Sequence, residues 1–342
     1  MAEYPKIILK RKKESSLQRF HPWVFSGAID SKPSQLEEGQ IVEVFSKEGI
    51  YLATGHFQVG SIMVRIFSFE RGEIDEAFWK RKLEKALSWR NEVGLWGYVQ
   101  TTMFRLVHGE GDGMPGLIID FYGGVAVVQC HSVGFFLIKD TIASALKQII
   151  GDDLKAVYDK SSHSLPFKAP VDPVDGYLFG ETQEGKAMES GHPYRIDVEG
   201  GQKTGFFVDQ RENRSLLSHY AKGKRVLNTF CYTGGFSVAA LAGGAEFVDS
   251  VDSSASAIAL TNENVALNFG EKAPHQSHAT DAFEFLQALP KPYDLIVLDP
   301  PAFAKHRKVL DRALKGYRRI NRIAIEQLEP GGILFTFSCS QV

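Results

Sequence analysis

Beyond Lys224 the chain settles into a strict alternation of short apolar runs and helix-forming stretches. The runs are Arg225–Phe230, Phe247–Asp252, Ser277–Asp281, Tyr293–Asp299 and Ile333–Ser338, and all but the last precede helical sequence. This βα repetition predicts a parallel sheet with helices on both faces. Ligands of such sheets bind beyond the carboxyl ends of the strands, so the last residue of each run is the informative one. The second, third and fourth runs end in Asp252, Asp281 and Asp299. The first passes into Asn228-Thr229-Phe230-Cys231-Tyr232-Thr233-Gly234-Gly235. Its glycines allow close backbone approach, and the helix start that follows can receive an anion. Taken alone, this loop reads as an ordinary strand–helix turn, and any one aspartate as a helix cap. Three acidic strand ends behind a glycine turn shift the balance towards an adenosine-type cofactor, with Asp252 placed for ribose hydroxyls.

The fifth run stops at Ser338-Cys339-Ser340, next to the strand that ends at Asp299-Pro300-Pro301. Cys339 and Asp299 should therefore face one crevice. A serine on each side of Cys339 argues against an apolar burial site and for a nucleophile. Cys130 reads as core and Cys231 as a packing residue of the glycine loop. The three cysteines show no paired spacing, which excludes a disulfide framework and a sequence-readable zinc site, and the chain is read as belonging to a reducing cytosol. No metal is expected. No apolar stretch approaches the roughly 20 residues of a membrane span, and the basic N-terminus runs into polar sequence instead of a signal-peptide core.

Residues 5–70 read as short strands of a small β-barrel. A helix is expected over Asp75–Val93, then a hairpin of Leu117–Tyr122 and Val125–Cys130 about Gly123-Gly124. The domains suggested are 1–72, 73–185 and 186–342. A net charge of −2 means that any nucleic-acid surface must be local. Two candidates stand out. Lys305, Lys308, Arg312, Lys315, Arg319 and Arg322 recur at spacings of three and four, which places them on one helix face. Leu310, Leu314, Tyr317, Ile320 and Ala324 form the opposite stripe, and only Asp311 offers compensation, so a phosphate-binding ridge is favoured over a solvated face. The second is the run containing Arg11 and Lys12, followed by Arg19, His21 and Trp23, where basic and aromatic residues together suit unstacked RNA, although the run taken alone reads as a solvated terminus.

These segments resemble a known family. Asn228–Ser237, Val251-Asp252-Ser253, Asp281-Ala282-Phe283 and Asp299–Phe303 look like the cofactor motifs of class I S-adenosylmethionine-dependent methyltransferases. Gly201–Arg211, with its Lys203-Thr204-Gly205-Phe206 core, is similar to bacterial large-subunit ribosomal RNA methyltransferases, most of all the subgroup that modifies cytosine at C5. His21–Phe25 resembles the start of that subgroup's PUA domain, and Glu110–Gly116 the start of its central domain, so the likeness spans nearly the whole chain. It implies a Rossmann-like α/β parallel-sheet methyltransferase domain, preceded by a small PUA-like β-barrel and a small central α/β domain. It also implies S-adenosylmethionine as cofactor, held by Asn228, Thr229, Phe230, Tyr232, Thr233, Gly234, Asp252, Ser253, Asp281, Ala282 and Asp299. Phe207 would stack on the cofactor and Arg211 pair with its carboxylate, although each also reads as part of a hairpin docked on the sheet. Ribosomal RNA is the implied partner, in the cytoplasm and without a membrane; a homodimer is left open.

Carbon 5 of cytosine is a poor nucleophile. Thiolate attack at C6 makes C5 enamine-like and able to accept a methyl group, after which loss of the C5 proton expels the cysteine. Cys339 is the candidate thiol. Asp299, which would raise the thiol pKa if too close, is assigned to the N3/N4 edge of the base, as the resemblance also implies. A guanine-modifying relative shares Lys-Thr-Gly-Phe and Asp-Pro-Pro but carries an amide-rich tip in place of Ser338-Cys339-Ser340. Guanine N-methylation and a non-catalytic RNA-binding assembly role are the rival readings. The family's sheet continues past the cysteine-bearing strand whereas this sequence stops at Val342; if those strands are truly missing and no partner covers the edge, weak or absent turnover with partly retained cofactor binding is expected.

Overall fold

The computed structural model describes residues 3–166, 169–182, 185–288, 292–304 and 309–340. They divide into two compact units, Met1–Gly191 with Ile196–Val208, and His192–Arg195 with Asp209–Val342. Among the described residues no helix is long and apolar enough to cross a membrane.

The first unit opens with β1 (Lys6–Leu9), β2 (Trp23–Phe25), β3 (Ile29–Ser31), β4 (Ile41–Phe45), β5 (Tyr51–Phe57) and β6 (Ile62–Ser68). They form one sheet in the order β2-β6-β5-β4-β1-β3, curled into a half-barrel. Alternating side chains from these strands, among them Ile7, Leu9, Val42, Val44, Val64 and Ile66, fill its concave core. Asp75 then caps α1 (Glu76–Glu92) by accepting from the Phe78 amide at 2.7 Å. A second sheet is built from β7 (Met103–His108), β8 (Leu117–Tyr122), β9 (Val125–Cys130), β10 (Ala156–Asp159) and β11 (Gly176–Phe179), in the order β11-β10-β9-β8-β7. The β8–β9 hairpin turns at Gly123-Gly124 as the sequence suggests. Helices α2 (Val133–Leu137) and α3 (Lys139–Ile150) complete this layer, and strand β12 (Lys186–Glu189) follows.

A buried polar network ties the later segment Ile196–Val208 to this sheet. Arg105 donates to both oxygens of Asp120 at 2.8 and 3.0 Å, and Thr204 Oγ1 donates to Asp120 Oδ2 at 2.7 Å. The Tyr122 hydroxyl meets Thr204 Oγ1 at 2.8 Å and donates to the Phe206 carbonyl at 3.1 Å. Lys160 Nζ clamps the same segment, donating to the carbonyls of Val198 and Gly201 at 2.7 and 2.6 Å. These charge-assisted bonds are stronger than neutral ones, so the segment carrying Lys203 and Phe207 has a fixed base.

The second unit holds β13 (His192–Arg195), α4 (Arg211–Tyr220), β14 (Arg225–Thr229), α5 (Gly235–Ala242), β15 (Phe247–Asp252), α6 (Ala255–Phe269), β16 (His275–Ala279), α7 (Ala282–Gln287), β17 (Tyr293–Leu298), α8 (Leu310–Glu326) and β18 (Leu328–Thr336). All strand pairs of its five-stranded sheet are parallel, in the order β16-β15-β14-β17-β18. Chain order reverses between β14 and β17, which is the switch point where such sheets open a crevice for ligands. Leu227, Val251, Ile296 and Leu298 pack against Ala282 and Leu286 of α7 and Ile320, Ile323 and Ala324 of α8.

Four of the five strands differ from the sequence reading, the first only by ending at Thr229 instead of Phe230. The third strand lies at His275–Ala279 instead of Ser277–Asp281, because Asp281 caps α7 by accepting from the Phe283 and Glu284 amides. The fourth ends at Leu298, leaving Asp299 in the loop. The fifth begins at Leu328 and stops at Thr336, and a register shift opposite Tyr293 and Leu295 absorbs the Pro330-Gly331-Gly332 segment.

Candidate active site

The loop after β14 is held in an uncommon backbone conformation. Phe230, Tyr232 and Gly234 have φ of 56°, 49° and 78°. Non-glycine residues pay strain for such angles, and surrounding bonds over-determine them here. The Cys231 amide donates to the Val251 carbonyl at 3.0 Å and the Gly234 amide to the Cys231 carbonyl at 2.9 Å. Thr261 Oγ1 and Asn264 Nδ2, both from α6, donate to the carbonyls of Tyr232 and Thr233 at 2.8 and 2.9 Å. Gly234 admits no side chain: a Cβ there would sit 2.8 Å from Thr261 Cγ2. Helix α5 begins directly after this loop with no side-chain cap, so the amides of its first turn can receive an anion.

Asn228 and Thr229 are buried beneath this loop. Thr229 Oγ1 donates to the Val297 carbonyl at 2.7 Å, and Asn228 Nδ2 to Ser237 Oγ at 2.8 Å. At the end of β15 the half-buried Asp252 accepts from the Tyr232 amide at 3.0 Å through Oδ2 and from the Ser254 amide at 2.9 Å through Oδ1. Each oxygen keeps a second lone pair. Ser253 is exposed beside it, and beyond β16 Ala282 is buried while Phe283 is half-buried. A helix start open to an anion, a carboxylate with spare lone pairs and a small apolar ledge are chemically compatible with the parts of S-adenosylmethionine.

Beyond β17, Asp299 is half-buried and accepts from Gln210 Nε2 at 3.5 Å. The strand pairing of β17 with β18 extends by one bond, Phe337 N to the Leu298 carbonyl at 2.9 Å. This brings the Ser338-Cys339-Ser340 tip to the Asp-Pro-Pro loop, with Cys339 Sγ donating to the Pro300 carbonyl at 3.8 Å. Cys339 is exposed, whereas Cys130 and Cys231 are buried, and burial pushes both of their thiols up to about 12. Two hydroxyls that sequence reading missed hold the tip. Ser340 Oγ meets the Tyr317 hydroxyl at 2.9 Å and accepts from the Ala304 amide at 3.3 Å. The Tyr317 ring also lies 4.5 Å from that of Phe303. Tyr317 sits among apolar residues in the α8 pattern, so only its hydroxyl signals the role.

The basic residues of α8 are partly as expected. Arg312, Lys315, Arg319 and Arg322 are all exposed and share one face; Lys305 and Lys308 lie outside the described residues. Two details need correction. Leu314, expected on the apolar stripe, is 56% exposed, because the sheet receives Ala313, Ile320, Ile323 and Ala324 instead. Asp311 is not the sole compensating charge: Arg322 pairs with Glu326 at 3.6 Å. Arg312 and Lys315 have no ion-pair partner among the described residues, and Arg319 lies 5.5 Å from the Phe283 ring. In the first unit, Arg11 is exposed and pairs with Glu48 at 3.4 Å, Lys12 is exposed in a turn with φ of 64°, and Arg19 donates to the Ser15 carbonyl at 3.2 Å. Phe207 belongs to the same unit, with Lys203 Nζ 4.3 Å from its ring centre, while Arg211 opens α4 in the second.

Residues 104–341 match the S-adenosylmethionine-dependent methyltransferase family and residues 7–69 a PUA-like domain family. Ribosomal RNA large subunit methyltransferase I of Klebsiella pneumoniae is 37% identical over 348 residues, covering 98% of this chain and 85% of its own length. The protein of the same name from Salmonella schwarzengrund is 37% identical over 346 residues, covering 99% and 85%. A methyltransferase crystallised in complex with SAH superposes with a TM-score of 0.81 at 27% identity, covering 97% of this chain and 85% of that one. A SAM-dependent methyltransferase from Streptococcus mutans gives 0.79 at 27% identity over the same shares. The chain belongs to the S-adenosylmethionine-dependent methyltransferase family, within the ribosomal RNA large subunit methyltransferases that carry an N-terminal PUA-like domain.

Proposed function

We propose that this protein methylates C5 of a cytosine in 23S ribosomal RNA through a transient covalent bond to Cys339. When bound, S-adenosylmethionine supplies an electrophilic methyl group. Residues Phe230, Tyr232, Thr233 and Gly234 shape the turn that receives its carboxylate at the start of α5, and Arg211 pairs with that carboxylate. Asp252 and Ser253 take the ribose hydroxyls, and Asp281 and Ala282 border the adenine. Asn228 and Thr229 support the loop from below. The target cytosine leaves its stack to enter the crevice, since C5 and C6 are covered within a helix. Asp299 accepts from its N4 edge. The Cys339 thiolate, its proton lost to solvent, bonds to C6, and the C5–C6 electron pair moves to C5, which would then take the methyl carbon as that carbon's bond to the donor sulfur breaks and S-adenosylhomocysteine leaves. Loss of the C5 proton restores the double bond and releases the thiolate. Arg312, Lys315, Arg319 and Arg322, with Lys305 and Lys308, bind phosphates, as do Arg11, Lys12 and Arg19.

The observation that carries this reading is the contrast among the three thiols. Cys339 is exposed at the carboxyl end of the sheet against the Asp-Pro-Pro loop, while the other two are buried. The test incubates the chain with labelled S-adenosylmethionine and a 23S transcript containing 5-fluorocytidine. A denaturation-resistant protein–RNA adduct is expected, absent in Cys339→Ala, which should lose methyl transfer to unmodified transcript by at least about a thousandfold. Label recovered on a guanine, or full turnover by Cys339→Ala, would sink the proposal.

A further inference from the structure

The first unit contains a cavity of about 410 Å³ whose lining residues belong to the helix α1–strand β7 connection, the β8–β9 turn, the segment before β10 and the start of β12. Its wall is aromatic. Trp96 is half-buried and packs edge-on against Phe121 and Phe104, with ring centres 5.3 and 6.1 Å apart, and both phenylalanines are buried in the sheet. The connection leaves Tyr98 57% and Val99 85% exposed at the cavity. A fully polar turn would satisfy a simple helix–strand link, so this apolar exposure calls for an occupant. The lining is also charged. Lys155 and Lys186 are exposed at the cavity with Asp153, and the Lys155 ammonium has no hydrogen-bond or ion-pair partner among the described residues. Gly123 lets the start of β12 approach the β8–β9 turn: with φ of 56°, a Cβ there would lie 2.3 Å from the Lys186 carbonyl.

An aromatic wall with two lysines in the same lining matches one ligand chemistry, a planar base with a phosphate attached. Bases splayed out of single-stranded RNA stack on aromatic side chains, and basic residues track the adjoining backbone. The volume falls within the range of ordinary ligand sites and suffices for one nucleotide. Asp153 would repel a bare anion at the rim, but it accepts from an exocyclic amine or a ribose hydroxyl, which favours a nucleotide over free phosphate. We propose that this central pocket receives an unstacked nucleotide of the RNA substrate, with the base against Trp96 and Tyr98 and the phosphate at Lys155 and Lys186. The inference rests on the reading that ribosomal RNA is the substrate.

The test irradiates the full chain with an unmodified 23S ribosomal RNA transcript carrying 4-thiouridine and maps adducts by mass spectrometry. An adduct within residues 95–104 is expected. The surface double variant Lys155→Glu, Lys186→Glu should lose it while keeping its melting temperature and S-adenosylmethionine affinity, and Tyr98→Ala should bind the transcript about tenfold more weakly. A wild-type chain that methylates and crosslinks to the transcript elsewhere, with residues 95–104 unlabelled and the double variant binding as tightly, overturns the pocket while the RNA reading stands. A wild-type chain that forms no adduct and binds no transcript overturns both.

Discussion

The Tyr317 hydroxyl and Ser340 Oγ fix the tip that carries Cys339 to the loop after β17. Tyr317→Phe removes the bond to Ser340 Oγ and the long one accepted from the Phe303 amide at 3.5 Å, and leaves the ring on Phe303. We expect kcat to fall about five- to tenfold, the equivalent of one bond of about 1 kcal/mol, with KM for S-adenosylmethionine and the melting temperature little changed. A purely structural role would instead lower the melting temperature and leave kcat intact; single-turnover kinetics with calorimetry separate the two. At this scale the sequence exposes some roles and hides others. The serines flanking Cys339 announce an accessible thiol, which the exposed Cys339 bears out. Asp252 and Asp281 look alike as acidic residues near strand ends, yet Asp252 meets the glycine loop while Asp281 caps α7. Hydrogen-bond partners, absent from a linear pattern, make that difference.

Among elements, α8 shows how far periodicity reaches. Spacing of three and four correctly places Arg312, Lys315, Arg319 and Arg322 on one exposed face. The buried stripe depends on where the sheet and α7 lie, and that choice exposes Leu314. Neutralising Arg312→Gln and Lys315→Gln removes two unpaired cations. The slope of log affinity against log salt for ribosomal RNA should become shallower by about 1.4 to 1.8, as two fewer counterions are displaced. Filter binding between low and moderate salt measures it, and an unchanged slope would count against an RNA-facing α8. Strand β18 makes a related point: its start at Leu328, before Pro330-Gly331-Gly332, depends on pairing with Tyr293, and no local propensity signals it.

For the whole molecule, buried histidines set an acid limit. His56 is enclosed by Phe67, Trp79 and Phe135, and burial pushes its pKa down to about 3; burial likewise lowers His275 to about 4. The unfolded chain takes up these protons near pH 6.5 and the folded chain does not. Stability is therefore full above pH 6.5 and declines as pH falls towards 4 and 3. His56 alone should cost roughly 1 kcal/mol between neutrality and pH 5.5. Urea unfolding at pH 7.5 and 5.5 checks this, and His56→Phe should flatten the dependence whatever it does to absolute stability. The fold class was legible from the sequence, because strand–helix alternation and strand-end aspartates follow from local pattern and parallel-sheet topology. So was the place of the glycine loop, since backbone geometry there needs particular residues. Other features required tertiary structure. The segment Ile196–Val208 joins the first unit through Asp120, Thr204 and Tyr122. The pocket beside Trp96 draws its walls from stretches as distant in sequence as Leu95 and Lys186. Local sequence encodes what each stretch becomes; only long-range packing and hydrogen bonding decide which stretches meet.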